Sequence, residues 1–171
     1  AGVEVIGDVE LAWRLRGPGA APWLAVTGTN GKTTTTRMLA AILSAAGLRT
    51  AAVGNIGVSL FDVILGEQEY DVLAVELSSY QLHWAPGIRP HSAAVLNLAP
   101  DHLDWHGGFE AYREDKLRVF ANQLPGDLAV VPLGFEEVPG GAQRIEYQPA
   151  DADAVALRGR HNLLNAGAAQ A

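Results

Sequence analysis

The sequence predicts an α/β domain with a mainly parallel sheet flanked by helices. Three observations carry this. Short apolar runs alternate with helix-sized segments along the 171 residues, the pattern of parallel strands joined by crossover helices. One run leads directly into a glycine-rich loop that opens a helix, at residues 28–35. Hydrophobic residues make up 49% of the chain but aromatics only 7%, which favours close helix–sheet packing over an aromatic-rich sandwich.

Residues 23–27 form a short apolar run before a turn and read as a buried strand. Residues 32–46 place Met38, Leu39, Ile42, Leu43 and Ala46 at helical spacing, with Gly47 as the stop. A second strand is expected at 49–53, a third at 72–77, apolar until Glu76, a fourth at 92–98 and a fifth at 128–131. Residues 109–122 read as a helix, and another begins near Asn162. Residues 17–22 resemble a linker or surface loop, and 149–157 are too short and too rich in Ala and Asp for much structure. In such sheets ligands sit beyond the carboxyl ends of the strands. The loop at Gly28, the segment 76–79 and the segment 97–102 all fall there, so one shared site is expected.

Charge and composition narrow the function. With 12 basic and 19 acidic residues the net charge is -7, which gives no basic footprint for nucleic acid or an anionic membrane. Any anion must therefore be held by local groups. The absence of cysteine excludes disulfides, thiolate metal sites and a cysteine nucleophile, and fits a cytoplasmic location. No apolar run approaches the ~20 residues of a membrane span.

The loop reads Thr27-Gly28-Thr29-Asn30-Gly31-Lys32-Thr33-Thr34-Thr35. Glycines let successive N–H groups curl around phosphate oxygens, and the helix N-terminus adds partial positive charge. Lys32 can reach the β- and γ-phosphates of ATP, and the Thr33 hydroxyl can bind Mg²⁺. The strict G-x-x-x-x-G-K-[ST] pattern fails because Val26 stands where its first glycine belongs. A plain turn with a capping threonine is the alternative, but strand, loop and helix agree on a P-loop nucleotide-binding type.

Other polar residues are less decided by spacing. Glu76 ends an apolar strand and either holds a metal or is an exposed strand-end acid. Ser78 and Ser79 either cap the next helix or bind ligand. His102, in Asp101-His102-Leu103-Asp104-Trp105-His106, is a metal-ligand candidate or a surface histidine, and its neighbours read as caps and solvated groups. Lys116 reads as a solvated helix residue or an intrahelical ion-pair partner. Asn162 and Asn165, three apart, share a helix face; they cap and pack, or hydrogen-bond a base edge.

Taken together, residues 28–34, 76–82, 97–104, 112–116, His161, Asn162 and Asn165 resemble the central domain of the Mur ligases, ATP-dependent amide-forming enzymes of peptidoglycan precursor synthesis. They run in the family's order across nearly the whole chain. The segments Glu-Leu-Ser-Ser-Tyr-Gln-Leu and Gly54-Asn55-Ile56-Gly57 look most like the branch that adds D-glutamate to the UDP-muramoyl-alanine substrate. The resemblance implies that residues 28–35 (Gly28, Thr29, Asn30, Gly31, Lys32, Thr33, Thr34, Thr35) hold the ATP phosphates. It implies that Thr33 and Glu76 serve one Mg²⁺, that His102 and a carbamylated Lys116 serve a second, that Asn55 and Ser79 lie toward the muramoyl substrate, and that Asn162 and Asn165 lie toward adenine. Lys32, Lys116 and His102 would be the catalytic group. It also implies that residues 1–22 are a segment and linker from a UDP-binding domain and that 23–171 are a C-terminally incomplete central domain. A monomer is expected, with no nucleic-acid partner and no membrane insertion. Trp105 stands where relatives often carry a polar or basic residue, and the stretch between Tyr147 and Arg160 is shorter than usual. Rival readings are a Mur ligase with another amino acid substrate and a nucleotide-binding module without ligase chemistry. A simple GTPase is disfavoured because no Asn-Lys-x-Asp segment appears.

Overall fold

The computed structural model describes residues 2–135, 138–157 and 159–171; the first residue of the expected N-terminal segment, and residues 136, 137 and 158 of the expected central domain, lie outside the described residues. Six parallel strands form one sheet in the order β2-β3-β1-β4-β5-β6. They are β1 (Trp23–Thr27), β2 (Thr50–Gly54), β3 (Val72–Glu76), β4 (Ser92–Val95), β5 (Leu128–Pro132) and β6 (Gln143–Tyr147). The helices are α1 (Asp8–Leu15), α2 (Lys32–Ala45), α3 (Leu60–Leu65), α4 (Ser79–His83), α5 (Leu103–His106), α6 (Phe109–Leu117) and α7 (Arg160–Gln170).

The central strands read as near-continuous apolar runs because helices cover both faces. Every residue of β3 is buried. One face carries the larger core, with Trp23, Val75, Leu77, Leu82, Ile88 and Phe120 among its fully buried side chains. The other joins Val26, Leu96, Val130 and Tyr147 to Leu39 of α2 and to Leu164 and Ala168 of α7. Tyr147 closes that layer: its hydroxyl donates to the Leu96 carbonyl at 2.9 Å, and burial pushes its pKa up to about 12. No helix among the described residues is long and apolar enough to cross a membrane.

The alternation of strands and helices was legible, but three details differ from expectation. β6 forms an edge strand at a place where no strand was expected; its exposed Gln143, Arg144 and Glu146 hide the apolar signal. The helix expected over 109–122 stops at Leu117 and tightens into a 3₁₀ turn at Arg118–Phe120. Of the two serines read as capping the next helix or binding ligand, Ser78 caps α4 as expected, in a reciprocal pair with Gln81. Within residues 1–22, α1 forms a helix that packs into the core: Val9 and Ala12 are buried, and Trp13 meets the buried Trp23 edge-on at 5.0 Å between ring centroids.

The anchor of α1 is a buried carboxylate. Glu10 is 1% exposed; its Oε2 accepts from the Gly87 amide at 2.7 Å and its Oε1 from Arg14 Nε at 2.7 Å. Truncating it leaves a buried N–H without a partner. Glu10→Ala is therefore expected to lower stability by about 1–3 kcal/mol, and by more than Arg14→Ala, which leaves the Gly87 bond to the carboxylate in place. Urea unfolding of both variants checks the ranking.

Candidate nucleotide-binding site

β1 lies between β3 and β4, so the loops leaving these strands meet at one carboxyl edge. The loop after β1 turns at Gly28 and Gly31, whose φ angles of 149° and 87° favour glycine. A Cβ on Gly31 would stand 2.3 Å from Asn165 Oδ1, so α7 presses directly on the turn. Not every amide between Gly28 and Thr35 faces outward, as the sequence reading expected. Thr29 N donates to the Asn97 carbonyl and Asn30 N to Asn97 Oδ1, both at 2.9 Å, while Asn97 Nδ2 returns a bond to the Asn30 carbonyl. Thr35 N is the first amide bonded within the helix, to Gly31 O, and the Thr35 side chain is fully buried beneath the loop. The amides of Gly31, Lys32, Thr33 and Thr34 donate to no acceptor among the described residues. They open a 14-residue helix with no acidic residue in its first turn, so dipole and free donors point the same way.

Lys32 folds back over this loop. Its Nζ donates to the carbonyls of Gly28 and Thr29, each at 3.0 Å. Burial lowers its pKa, opposed by the nearby charges of Glu76 and Asp101. Glu76 is 2% exposed, and both oxygens are used: Oε2 accepts from Thr33 Oγ1 at 2.8 Å and Oε1 from Asn55 Nδ2 at 3.1 Å. The exposed strand-end reading of Glu76 is thus corrected. A hydroxyl and a carboxylate this close are hard oxygen donors suited to Mg²⁺, which commonly takes only one or two protein ligands and completes its shell with water and phosphate. Among the described residues no cluster of three or more His, Cys, Asp or Glu side chains lies at metal-binding distance.

Lys116 departs most from what its spacing suggested. It is 2% exposed, not solvated, and its Nζ donates to the same Gly28 carbonyl at 2.8 Å. Its pKa is lowered to about 7, chiefly by burial and next by the Lys32 charge, with Asp101 opposing. Tyr112, one turn earlier on α6, packs its ring 4.8 Å from Lys116 Nζ and places its hydroxyl 2.9 Å from Thr29 Oγ1. His102 lies in the left-handed region at φ 51°; its ring sits beside Tyr80 and its Nε2 is 3.5 Å from Asp101 Oδ2. Ser79 is 2% exposed, and its hydroxyl pairs with His106 Nε2 at 3.0 Å. Asn165 is buried against Gly31, and Asn162 is half-buried at the start of the same helix. Sequence reading gave no special part to Tyr112, His106 or Asp115; each works through partners distant in the chain.

The pattern of the Mur ligase middle domain matches residues 26–150. The chain belongs to the Mur ligase family. It is 80% identical over 120 residues to the UDP-N-acetylmuramoylalanine–D-glutamate ligase of Streptomyces avermitilis, covering 70% of this chain and 26% of that protein. It is 64% identical over 122 residues to the ligase of the same name from Thermobifida fusca, with 70% and 26% covered. This Mur ligase chain thus spans about a quarter of the length of those relatives. A solved bifunctional folylpolyglutamate synthase/dihydrofolate synthase with Mn, AMPPNP and L-glutamate bound superposes with a TM-score of 0.64 over 99% of this chain and 58% of its own, at 22% identity, a likeness of fold.

The burial of Lys116 has a consequence for this Mur ligase domain that needs no ligand. Between about pH 7 and pH 10.5 the unfolded lysine is protonated and the folded one is not, so stability rises with pH across that window. Lys116→Met removes the penalty. Its stabilisation relative to the parent is expected to be largest at and below pH 7, on the order of a few kcal/mol, and to vanish toward pH 10.5. Paired urea titrations across that range measure the difference.

Proposed function

We propose that this chain is the ATP-binding middle domain of an ADP-forming ligase that adds D-glutamate to UDP-N-acetylmuramoyl-L-alanine, working as a cytoplasmic monomer. One observation carries the nucleotide part: a helix N-terminus with free amides at Gly31 to Thr34 and two lysines on a single carbonyl. The names of the relatives support the choice of amino acid. Residues 1–22 then lead in from a UDP-binding domain.

The chemistry moves the γ-phosphoryl group of ATP to the substrate carboxylate: an O–P bond to the carboxylate forms as the bond to ADP breaks, giving an acyl phosphate, and two anions must meet for this to happen. Lys32 leaves the Gly28 and Thr29 carbonyls and takes the phosphate charge, while the amides of residues 31–34 hold the phosphate oxygens. Thr33 and Glu76 would hold one Mg²⁺, and His102 with a carbamylated Lys116 a second. Bound there, the metals neutralise the repulsion between carboxylate and phosphate. Lys116 is suited to carbamylation, since a pKa of about 7 leaves a large share of neutral amine near neutrality. The neutral amine attacks CO₂, a C–N bond forms and one N–H proton leaves, so that a buried amine becomes an anion; starting from the ammonium, two protons are released in all. Asn55, held by Glu76, and Ser79 face the muramoyl substrate, and Asn162 and Asn165 the adenine. Attack of the D-glutamate amine on the acyl phosphate forms the amide and releases phosphate.

A nucleotide-binding module without ligase chemistry is the rival, and it has no use for carbamylation of Lys116. In the full-length protein, Lys32→Ala is expected to cut D-glutamate-dependent ADP release by about 10²–10³-fold; normal turnover would refute the role. Incubating the chain with ¹³C-labelled bicarbonate should give a carbamate resonance that Lys116→Met abolishes. A spectrum without it would favour the passive binder.

A further inference from the structure

Thr29 sits inside the phosphate loop, yet neither of its hydrogen-bond donors is left for a phosphate. Its amide donates to the Asn97 carbonyl at 2.9 Å, and its own carbonyl accepts from Lys32 Nζ at 3.0 Å. Its hydroxyl works across the site. Oγ1 accepts from the Ala99 amide at 3.0 Å, donates to the Ala99 carbonyl at 3.2 Å and lies 2.9 Å from the Tyr112 hydroxyl. A threonine hydroxyl has one proton and two lone pairs. The one arrangement that serves all three partners gives the proton to the Ala99 carbonyl, which can only accept, and has the Tyr112 phenol donate. Thr29 Oγ1 is then saturated by protein.

The partners belong to three different elements. Thr29 follows β1. Ala99 lies in the segment after β4 that leads to Asp101 and His102, and Tyr112 lies on α6 one turn before Lys116. Gly28, next to Thr29, presents its carbonyl to Lys116 Nζ at 2.8 Å. Tyr112 is 1% exposed, so little water competes for its phenol. Asn97 grips the other side of the loop through Asn30, but only the Thr29 hydroxyl touches both the β4 segment and α6.

We propose that Thr29 is a positioning residue and not a phosphate ligand: through its hydroxyl, clasped to Ala99 and Tyr112, it sets the phosphate loop in register with the two segments that bear His102 and Lys116. The proposal rests on the ligase reading above and deepens it. Lys32 and the amides of Gly31 to Thr34 hold ATP whether or not the clasp is closed. The clasp controls where the γ-phosphate stands relative to His102 and Lys116. A small displacement of reacting groups costs more in the transition state than in ground-state binding.

The test uses the full-length ligase. Tyr112→Phe keeps the ring beside Lys116 and removes one oxygen. It should lower kcat for D-glutamate-dependent ADP release roughly tenfold, the factor one ordinary hydrogen bond carries, with KM for ATP unchanged. Thr29→Val should lower kcat at least as far, again at unchanged KM for ATP. Thr29→Ser, which restores the hydroxyl, should recover most of the loss. Thr29→Val already breaks the bond to Tyr112, so the double variant should be no slower than Thr29→Val alone. Should Thr29→Val fail to fold, Tyr112→Phe, which leaves both Ala99 bonds in place, decides the matter alone. A raised KM for ATP in Thr29→Val, with Tyr112→Phe at the parental rate, would make Thr29 a phosphate ligand and overturn the proposal. So would parental kcat in both single variants, a Thr29→Ser enzyme as slow as Thr29→Val, or fully additive losses in the double variant. If the parent enzyme releases no ADP in response to D-glutamate, the ligase reading itself falls and the register claim with it; a working parent whose variants keep its kcat removes the part given to Thr29 alone.

Discussion

Two lysines share one carbonyl oxygen. Lys32 and Lys116, distant in sequence, both donate to Gly28 O, at 3.0 and 2.8 Å, and burial lowers the pKa of each. A carbonyl dipole compensates a single desolvated ammonium poorly and two worse still. Glu76 opposes the shift of Lys32, and Asp101, half-exposed in a surface loop, opposes both. Two ammonium groups whose charge burial disfavours thus meet at one carbonyl inside a molecule whose net charge is -7. That local meeting, and not the overall charge, sets what the site will accept. A polyanion relieves it, and so does the conversion of one amine to an acid.

Such a cluster is useful only if Gly28 stays in place, and several independent contacts fix it. Asn97 occupies the amides of Thr29 and Asn30 and bonds back to the Asn30 carbonyl. Thr29 Oγ1 touches the Tyr112 hydroxyl and both ends of the Ala99 peptide. Below, Asn165 leaves no room for a side chain at Gly31. The loop amides that remain free are thus aimed before any ligand arrives, and donors that need no rearrangement are worth most to a charged transition state.

How much of this could be read from the sequence depends on whether the signal was local. The strands showed because a doubly covered parallel sheet needs apolar runs, and the phosphate loop because its glycines, lysine and threonine are contiguous. β6 was invisible because an edge strand keeps polar residues on its open side. α1 went unforeseen because the amide that bonds its buried Glu10 belongs to Gly87, 77 positions away. Lys116 sits in Tyr-Arg-Glu-Asp-Lys, a string that reads as a solvated helix face; only the fold reveals that Tyr112, Asp115 and Lys116 are turned inward. Resemblance to the family pointed to Lys116 where spacing could not, but it gave no hint of His106 or Asp115.

The placement of Asp115 and Lys116 side by side follows from helix geometry. Successive residues on a helix point about 100° apart, so one turn of α6 can address two neighbouring sites. Lys116 reaches the phosphate loop at Gly28, while Asp115 reaches back through His106 to Ser79 on α4. Tyr112, a turn earlier, touches both sides, with its hydroxyl at Thr29 and its ring against His106. A shift of α6 large enough to move the lysine would therefore also move the histidine, and the reverse. The two halves of the site are set by one rigid element, so loops that belong to different strands keep a single alignment.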